Sequence, residues 1–287
     1  MQDKQYKKVY IMSHKNLTGD IWSMWLDVGE MAQHCKAGQF INIYCEEGTR
    51  MLPRPISICE VAKLTKAIRI VYRVAGEGTK ELSEIPVDSE VQIMGPLGNG
   101  FTLKEDKAIL VAGGIGIPPM LQLAKELKKV EKTIVLGFRD SNTFLMREFS
   151  SIPNTKIVIA TEDGSLGVKG NVIDAIKANG LKADIIYACG PTPMLMGLKK
   201  YAAENGIECY ISLEEKMACG IGACLGCVCH TKEIDEHANV RNTRICKDGP
   251  VFNAEDVELL NTDQQRERIT SGHQTEGCKC HTIKIKE

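Results

Sequence analysis

Over its first hundred residues short runs rich in strand-forming residues recur at Val9–Met12, Ile21–Leu26, Phe40–Tyr44, Ile56–Cys59, Ile68–Val74 and Val91–Met94. Gly or Pro clusters separate the runs, which predicts a small antiparallel barrel. Gly95-Pro-Leu-Gly-Asn-Gly100 punctuates its end. From Lys107 the pattern changes. Ala108–Ala112 is continuously apolar, as in a parallel strand covered on both faces, and a glycine turn leads into Met120–Lys129 with helical spacing. Strand-like Thr133–Gly137, Ile157–Thr161 and Ile185–Cys189 then alternate with helix-like Thr143–Phe149, Val172–Asn179 and Pro193–Glu204. That alternation predicts a doubly wound parallel α/β sheet.

Tyr210–Leu213 reads as a last strand leading into a cysteine-rich loop, and from Asn261 the chain is polar and poor in large apolar side chains. The expected organisation is therefore β + α/β: a barrel over residues 1–103, an α/β sheet over 104–208, a cysteine-loop subdomain over 209–260 and a mobile tail over 261–287. Cys278, Cys280 and His281 in that tail lack a distant fourth ligand and read as unstructured polar chain rather than a metal site.

Composition narrows the function classes. The 287 residues carry a formal charge of −1 with 25% charged side chains, so no basic field points to nucleic acid. No apolar run approaches the ~20 residues that span a bilayer. The opening MQDKQYKKVY lacks the apolar core of a signal peptide. A soluble, cytoplasmic chain is the expectation. There, twelve cysteines read as metal or cluster ligands plus buried thiols rather than disulfides. Cys35, Cys45, Cys59 and Cys209 stand singly in apolar surroundings and read as small buried hydrophobes.

Four other cysteines form a pattern. Cys219, Cys224, Cys227 and Cys246 follow C-x4-C-x2-C with a fourth farther on, the spacing that holds a plant-type [2Fe–2S] cluster. Gly220, Gly222 and Gly226 are expected to turn the loop through positive φ and bring N–H groups to the sulfurs. The absence of paired zinc knuckles disfavours a zinc module.

Nucleotide signals accompany the loop. Arg54-Pro-Ile-Ser57 begins a strand with a cation beside a hydroxyl, suited to a phosphate and a ring nitrogen. Tyr72-Arg-Val-Ala-Gly-Glu-Gly-Thr79 precedes a helix-like Lys80–Ile85, which would present free N–H groups to a pyrophosphate, with Thr79 as helix cap the plain alternative. Gly113-Gly114-Ile-Gly116 and Cys189-Gly190-Pro191 each end a strand of the α/β region, at the edge where such sheets bind nucleotides. Glu162 and Asp163, in a third such turn, would accept from ribose hydroxyls and repel a 2′-phosphate, which favours NAD over NADP.

These motifs occur together in the order of the ferredoxin–NADP reductase superfamily. More closely, over residues 7–257, the chain resembles the electron-transfer subunits of type B dihydroorotate dehydrogenase, iron–sulfur flavoproteins of pyrimidine synthesis. The stretches that carry the resemblance are Arg54-Pro-Ile-Ser-Ile58, Tyr72–Thr79, Gly95–Phe101, Cys189–Met194 and Met217–Cys224. It implies an FAD-binding barrel, an NAD-binding sheet and a [2Fe–2S] subdomain.

It also implies residue roles. Arg54, Pro55, Ile56 and Ser57, with Val71, Tyr72 and Arg73, would hold the flavin, and Gly78 and Thr79 its pyrophosphate. Cys219, Cys224, Cys227 and Cys246 would ligate the cluster, with Cys229 outside the cage. No side chain is expected to act as acid or base. The implied partner is an FMN-containing catalytic subunit, in a heterotetramer of two of each, and the implied path runs from that FMN through [2Fe–2S] and FAD to NAD+. The alternative is the small subunit of NADH-dependent ferredoxin–NADP oxidoreductase or sulfide dehydrogenase. Those relatives generally carry Asp in place of the first cluster cysteine, whereas Cys219 is intact here.

Overall fold

The computed structural model describes residues 4–45, 52–232, 234 and 241–259. Cys278, Cys280, His281 and the rest of the expected tail lie outside the described residues. β1 (Gln5–Thr18) turns at Gly19, φ +48°, into β2 (Ile21–Asp27). After a single-turn helix α1 (Met31–His34) come β3 (Phe40–Tyr44), β4 (Arg54–Ala62) and β5 (Ala67–Arg73). Helix α2 (Glu77–Glu84) and β6 (Glu90–Leu97) follow. The six strands close into an antiparallel barrel in the order β1-β2-β5-β4-β3-β6.

Strand alternation decides which side chains fill that barrel. Ile41 and Ile43 of β3, Ile56 and Ile58 of β4, and Ile68, Ile70 and Tyr72 of β5 point inward to a core shared with Ile11, Met24 and Leu26. Each fully buried aliphatic side chain stabilises the fold by roughly 1.5–3 kcal/mol. Their neighbours Phe40, Leu97 and Val71 face outward and are buried against the rest of the molecule.

The α/β region runs β7 (Ala108–Gly113), α3 (Ile117–Glu126), β8 (Lys132–Phe138), α4 (Met146–Ser150), β9 (Thr155–Thr161), β10 (Val168–Lys169), α5 (Val172–Ala178), β11 (Ile185–Cys189), α6 (Thr192–Asn205) and β12 (Glu208–Ser212). Asn171 caps α5 by accepting from Ile173 N at 2.8 Å, and Gly206 ends α6 in the left-handed region, φ +65°. The chain closes with β13 (Val228–Thr231), β14 (Asn242–Arg244), β15 (Val251–Asn253) and β16 (Val257–Glu258). The large sheet is ordered β10-β9-β8-β7-β11-β12-β15, parallel except for β15, which returns from the cysteine segment to pair antiparallel with β12. Strands β14, β13 and β16 form a separate small sheet.

Polar contacts join the parts. Helix α3 lies on β4, where Lys125 pairs with Glu60 at 2.5 Å and Gln122 accepts from Val61 N at 2.8 Å. Arg69 of the barrel, nearly buried, reaches Glu148 of α4 at 3.0 Å and donates to Ser23 Oγ at 2.8 Å. On the other side, Asn99 donates from its side chain to the carbonyls of Lys247 and Asp248, and from its backbone to Gly249 O. Gly98, φ +72°, packs against Pro250 where a side chain would collide. The Gly95–Phe101 stretch thus clamps the cysteine segment onto the barrel.

Candidate functional site

The parallel sheet reverses its winding between β7 and β11: the chain proceeds outward to β8 and β9 on one side and to β12 on the other. Crevices of doubly wound sheets open at the carboxyl ends of strands flanking such a reversal. Both glycine turns sit there. A Cβ on Gly116 would run into the backbone of Cys189 and Gly190, and one on Gly113 would lie 2.8 Å from Met194 Sδ. Only glycine lets the two turns come this close. Pro118 and Pro119 start α3, where their missing N–H groups cost nothing.

A cleft of about 1110 Å³ opens above these turns. Gly113, Gly114, Gly116, Gly190, Pro191 and Glu162 line it, and so does Arg73 from the barrel. Asp163 does not. Its carboxylate turns back to accept from Ser165 N and Oγ, which holds it below its ordinary value. The Cys189 side chain is buried beneath the cleft, and burial pushes its thiol up. Its neighbour Gly190, not the thiol, faces the opening. Arg139, Asp140 and Asn142 at the end of β8 also line the cleft and went unnoticed in the sequence. Their place just past a parallel strand was the available signal.

Arg73 links this cleft to the barrel and pairs with Asp20 at 3.2 Å. Next to it runs the strip of flavin candidates. Pro55 and Ser57 share the outer face of β4, and Val71 and Arg73 that of β5. Ile56 and Tyr72 turn into the barrel core. There the Tyr72 hydroxyl meets His14 Nε2 at 2.9 Å, so these two residues offer the strip their backbones only.

Gly78 lies directly under the Arg54 guanidinium, which occupies the space of a Cβ. The two phosphate motifs are therefore one site: a cation laid across the first turn of α2. Thr79 is not the helix cap. Helix α2 begins at Glu77, and the Thr79 hydroxyl reaches back to accept from Ala75 N and Gly76 N at 2.9 and 3.2 Å. This ties down the approach to the helix and leaves the first-turn N–H groups without intrahelical partners.

The cysteine loop, between β12 and β13, wraps a ring of N–H groups around four sulfurs. Cys219 Sγ accepts from Ile221, Ala223 and Cys224 N at 3.3–3.5 Å. Gly222 N donates to Cys246 Sγ at 3.1 Å, Gly226 N to Cys224 Sγ and Cys246 N to Cys227 Sγ, both at 3.4 Å. Gly220 and Gly222 take positive φ, +69° and +85°. Gly226 does not; Leu225, φ +58°, supplies that turn. A Cβ at Gly226 would instead stand 3.5 Å from Cys224 Sγ, in the space the sulfurs surround.

The thiols fall into pairs: Cys224 donates its backbone N–H to Cys219 Sγ, and Cys246 its own to Cys227 Sγ. Burial works against ionising Cys219, but the surrounding N–H groups outweigh it and bring the thiol down to about 6. Burial beside Cys227 pushes Cys246 up to about 12. Coordination deprotonates such a thiol outright. Among the described residues, no three His, Cys, Asp or Glu side chains gather around one point as a single metal ion would require. Two thiolate pairs suit two bridged irons, so the donor set fits a [2Fe–2S] cluster. Cys229 turns away to line the cleft, and burial raises its thiol to about 12. Of the single cysteines, Cys35, Cys59 and Cys209 are buried and Cys45 is half-buried.

Comparison with known proteins reaches the same features. Residues 214–258 match the iron–sulfur cluster binding domain of dihydroorotate dehydrogenase B, and residues 110–200 match the oxidoreductase NAD-binding domain. The dihydroorotate dehydrogenase B (NAD(+)) electron transfer subunit of Fusobacterium nucleatum is 44% identical over 80% of this chain and 90% of its own length. That of Caldanaerobacter subterraneus is 41% identical over 87% and 97%. The chain belongs to the dihydroorotate dehydrogenase B electron transfer subunit family.

Members of this family are NAD-linked oxidoreductase subunits, and the residues above fit FAD, [2Fe–2S] and NAD. In structure, this family member is similar to a chain of the NADH-dependent reduced ferredoxin–NADP oxidoreductase, with TM-score 0.79 and 28% identity, covering 92% of this chain and 93% of that one. The ferredoxin reductase of carbazole 1,9a-dioxygenase shares the fold, with TM-score 0.62 and 19% identity over 71% and 67%. Among the described residues no helix is long and apolar enough to cross a membrane.

Proposed function

We propose that this chain carries electrons from a catalytic partner that oxidises dihydroorotate to NAD+, within pyrimidine biosynthesis. The observation that carries the reading is the continuity of three sites: the cysteine loop lies against barrel strand β3, β3 pairs with the flavin strand β4, and Arg73 of the same barrel enters the nucleotide cleft. When bound, the cluster passes single electrons, the nicotinamide takes a hydride, and a flavin converts one into the other.

The chain's own residues bind and orient. Arg54 and the first turn of α2 hold the flavin pyrophosphate, Ser57 and Val71 border its ring, and the two glycine turns admit the dinucleotide. Glu162 takes the ribose hydroxyls. The four loop cysteines hold the cluster at the surface, where Cys224 is exposed beside Ile221 and Leu225. That apolar rim suits docking of a partner that brings its own redox centre, an FMN, in an assembly of two of each chain in the cytoplasm. Reconstitution with such a partner tests the reading. Dihydroorotate-dependent formation of NADH supports it, and its absence in a fully loaded complex overturns it.

The similarity to the ferredoxin–NADP oxidoreductase chain supports a second reading, the small subunit of an NADH-dependent ferredoxin–NADP oxidoreductase or sulfide dehydrogenase. A strong preference for NADPH would favour it.

A further inference from the structure

Asn42, in the middle of β3, is fully buried, and neither Nδ2 nor Oδ1 makes a hydrogen bond of normal geometry; its polar neighbour is the Tyr44 hydroxyl, two residues along the same strand. A buried amide without well-formed hydrogen bonds is costly, so such a group calls for an explanation. Its position supplies one. Strand alternation turns Asn42 to the outer face of the barrel, with Phe40, which packs beneath the cysteine segment. In register it faces Pro55 of the flavin strand on one side and Met94 of β6 on the other. Its Nδ2 rests against Gly220 and fills the space of the Cβ that Gly220 lacks. Gly220 follows Cys219, whose sulfur already collects three backbone N–H groups. A barrel amide without a hydrogen bond of normal geometry thus stands between the flavin strip and the first cluster ligand.

We propose that Asn42 is a positioning residue for electron transfer: its amide donates from the barrel to a sulfur at the Cys219 end of the cluster and raises the cluster's reduction potential relative to the flavin. This rests on the four-cysteine reading of the loop. The physical basis is general. Hydrogen bonds to cluster sulfurs stabilise the reduced, more negative state, and outer contacts of this kind tune the potential. The backbone donors belong to the loop and move with it. Asn42 belongs to the barrel, so its contact also fixes the loop against the flavin strand.

The test is an EPR-monitored redox titration of the purified chain with FAD and cluster in place. Asn42→Leu keeps the volume and removes the donor. It is expected to shift the cluster's one-electron reduction equilibrium about tenfold toward the oxidised form, equivalent to ~59 mV, with FAD content and the FAD midpoint unchanged. Gly220→Ala, which pushes the amide away, should shift the cluster in the same direction. A loaded Asn42→Leu chain with the wild-type cluster midpoint overturns the proposal, as does an equal shift of the flavin midpoint. Should Asn42→Leu not retain iron, the isosteric Asn42→Asp is read by the same criterion. Failure of the loop reading looks different: wild-type chain without a [2Fe–2S] spectrum, or a cluster that survives Cys219→Ser and Cys224→Ser unchanged.

Discussion

The Arg54 guanidinium occupies the space a Cβ on Gly78 would need, which brings the start of β4 and the first turn of α2 together as one candidate anion site. Neither motif shows this alone. A cation against free helix N–H groups favours a pyrophosphate twice over, through charge and through the positive end of the helix dipole.

Gly78→Ala should therefore displace Arg54 and weaken FAD binding about tenfold, a cost of ~1.4 kcal/mol in the range of modest overpacking. Flavin fluorescence titration measures it. Wild-type affinity in this variant would remove Arg54 from phosphate recognition.

Cys219→Ser and Cys224→Ser are expected to lose the cluster while keeping FAD and NADH-dependent dye reduction. Transfer from dihydroorotate to NAD+ in the complex with the partner should fall at least a hundredfold. The visible and EPR spectra report the cluster, and unimpaired transfer in either variant would take the cluster off the path.

Glu162 and Asp163 are adjacent, but only Glu162 faces the cleft. Glu162→Gln should raise the ratio of kcat/KM for NADPH over NADH about fivefold, an effect of ~1 kcal/mol from removing one charge near a 2′-phosphate. Asp163→Asn, whose carboxylate is occupied by Ser165, should leave that ratio near wild type. A larger effect at Asp163 would reverse the assignment.

Lys104, in the segment joining barrel to sheet, meets Glu208 at the start of β12 at 2.5 Å. The hydrogen bond from Lys104 holds the Glu208 carboxyl below its ordinary value, and Glu208 holds Lys104 above its own. The carboxylate's contribution is present above about pH 4 and is lost as pH falls through its folded value. The lysine's contribution is present at neutral pH and is lost only as pH rises past its ordinary range, above about 10. Glu208→Gln should thus lower Tm by about 1–2 °C at pH 7, with the difference shrinking below about pH 4 and vanishing once pH is below the lowered folded value of the carboxyl. Thermal unfolding of both proteins across pH reads it.

The barrel strands, the alternation of the α/β region and the three glycine motifs were legible because each rests on local physics: period-two burial, continuous apolar strands, and turns only glycine can make. The elements that went unread are short and polar. Val228–Thr231, Asn242–Arg244 and Val257–Glu258 pair with one another across the sequence, and Val251–Asn253 completes the large sheet from a distance. Their stability comes from partners, not from their own pattern.

The cysteine loop shows the same division. Spacing alone picked out Cys219, Cys224, Cys227 and Cys246 as the candidate ligand set, because residue identity and loop length are properties of the chain itself. The tertiary structure decided the rest: that the sulfurs stand in two pairs, that Cys229 turns into the cleft above the glycine turns, and that the buried amide of Asn42 lies against Gly220. Asn42 and Gly220 are brought together by closure of a barrel and clamping of a distant segment upon it, and no local pattern encodes a contact of that range.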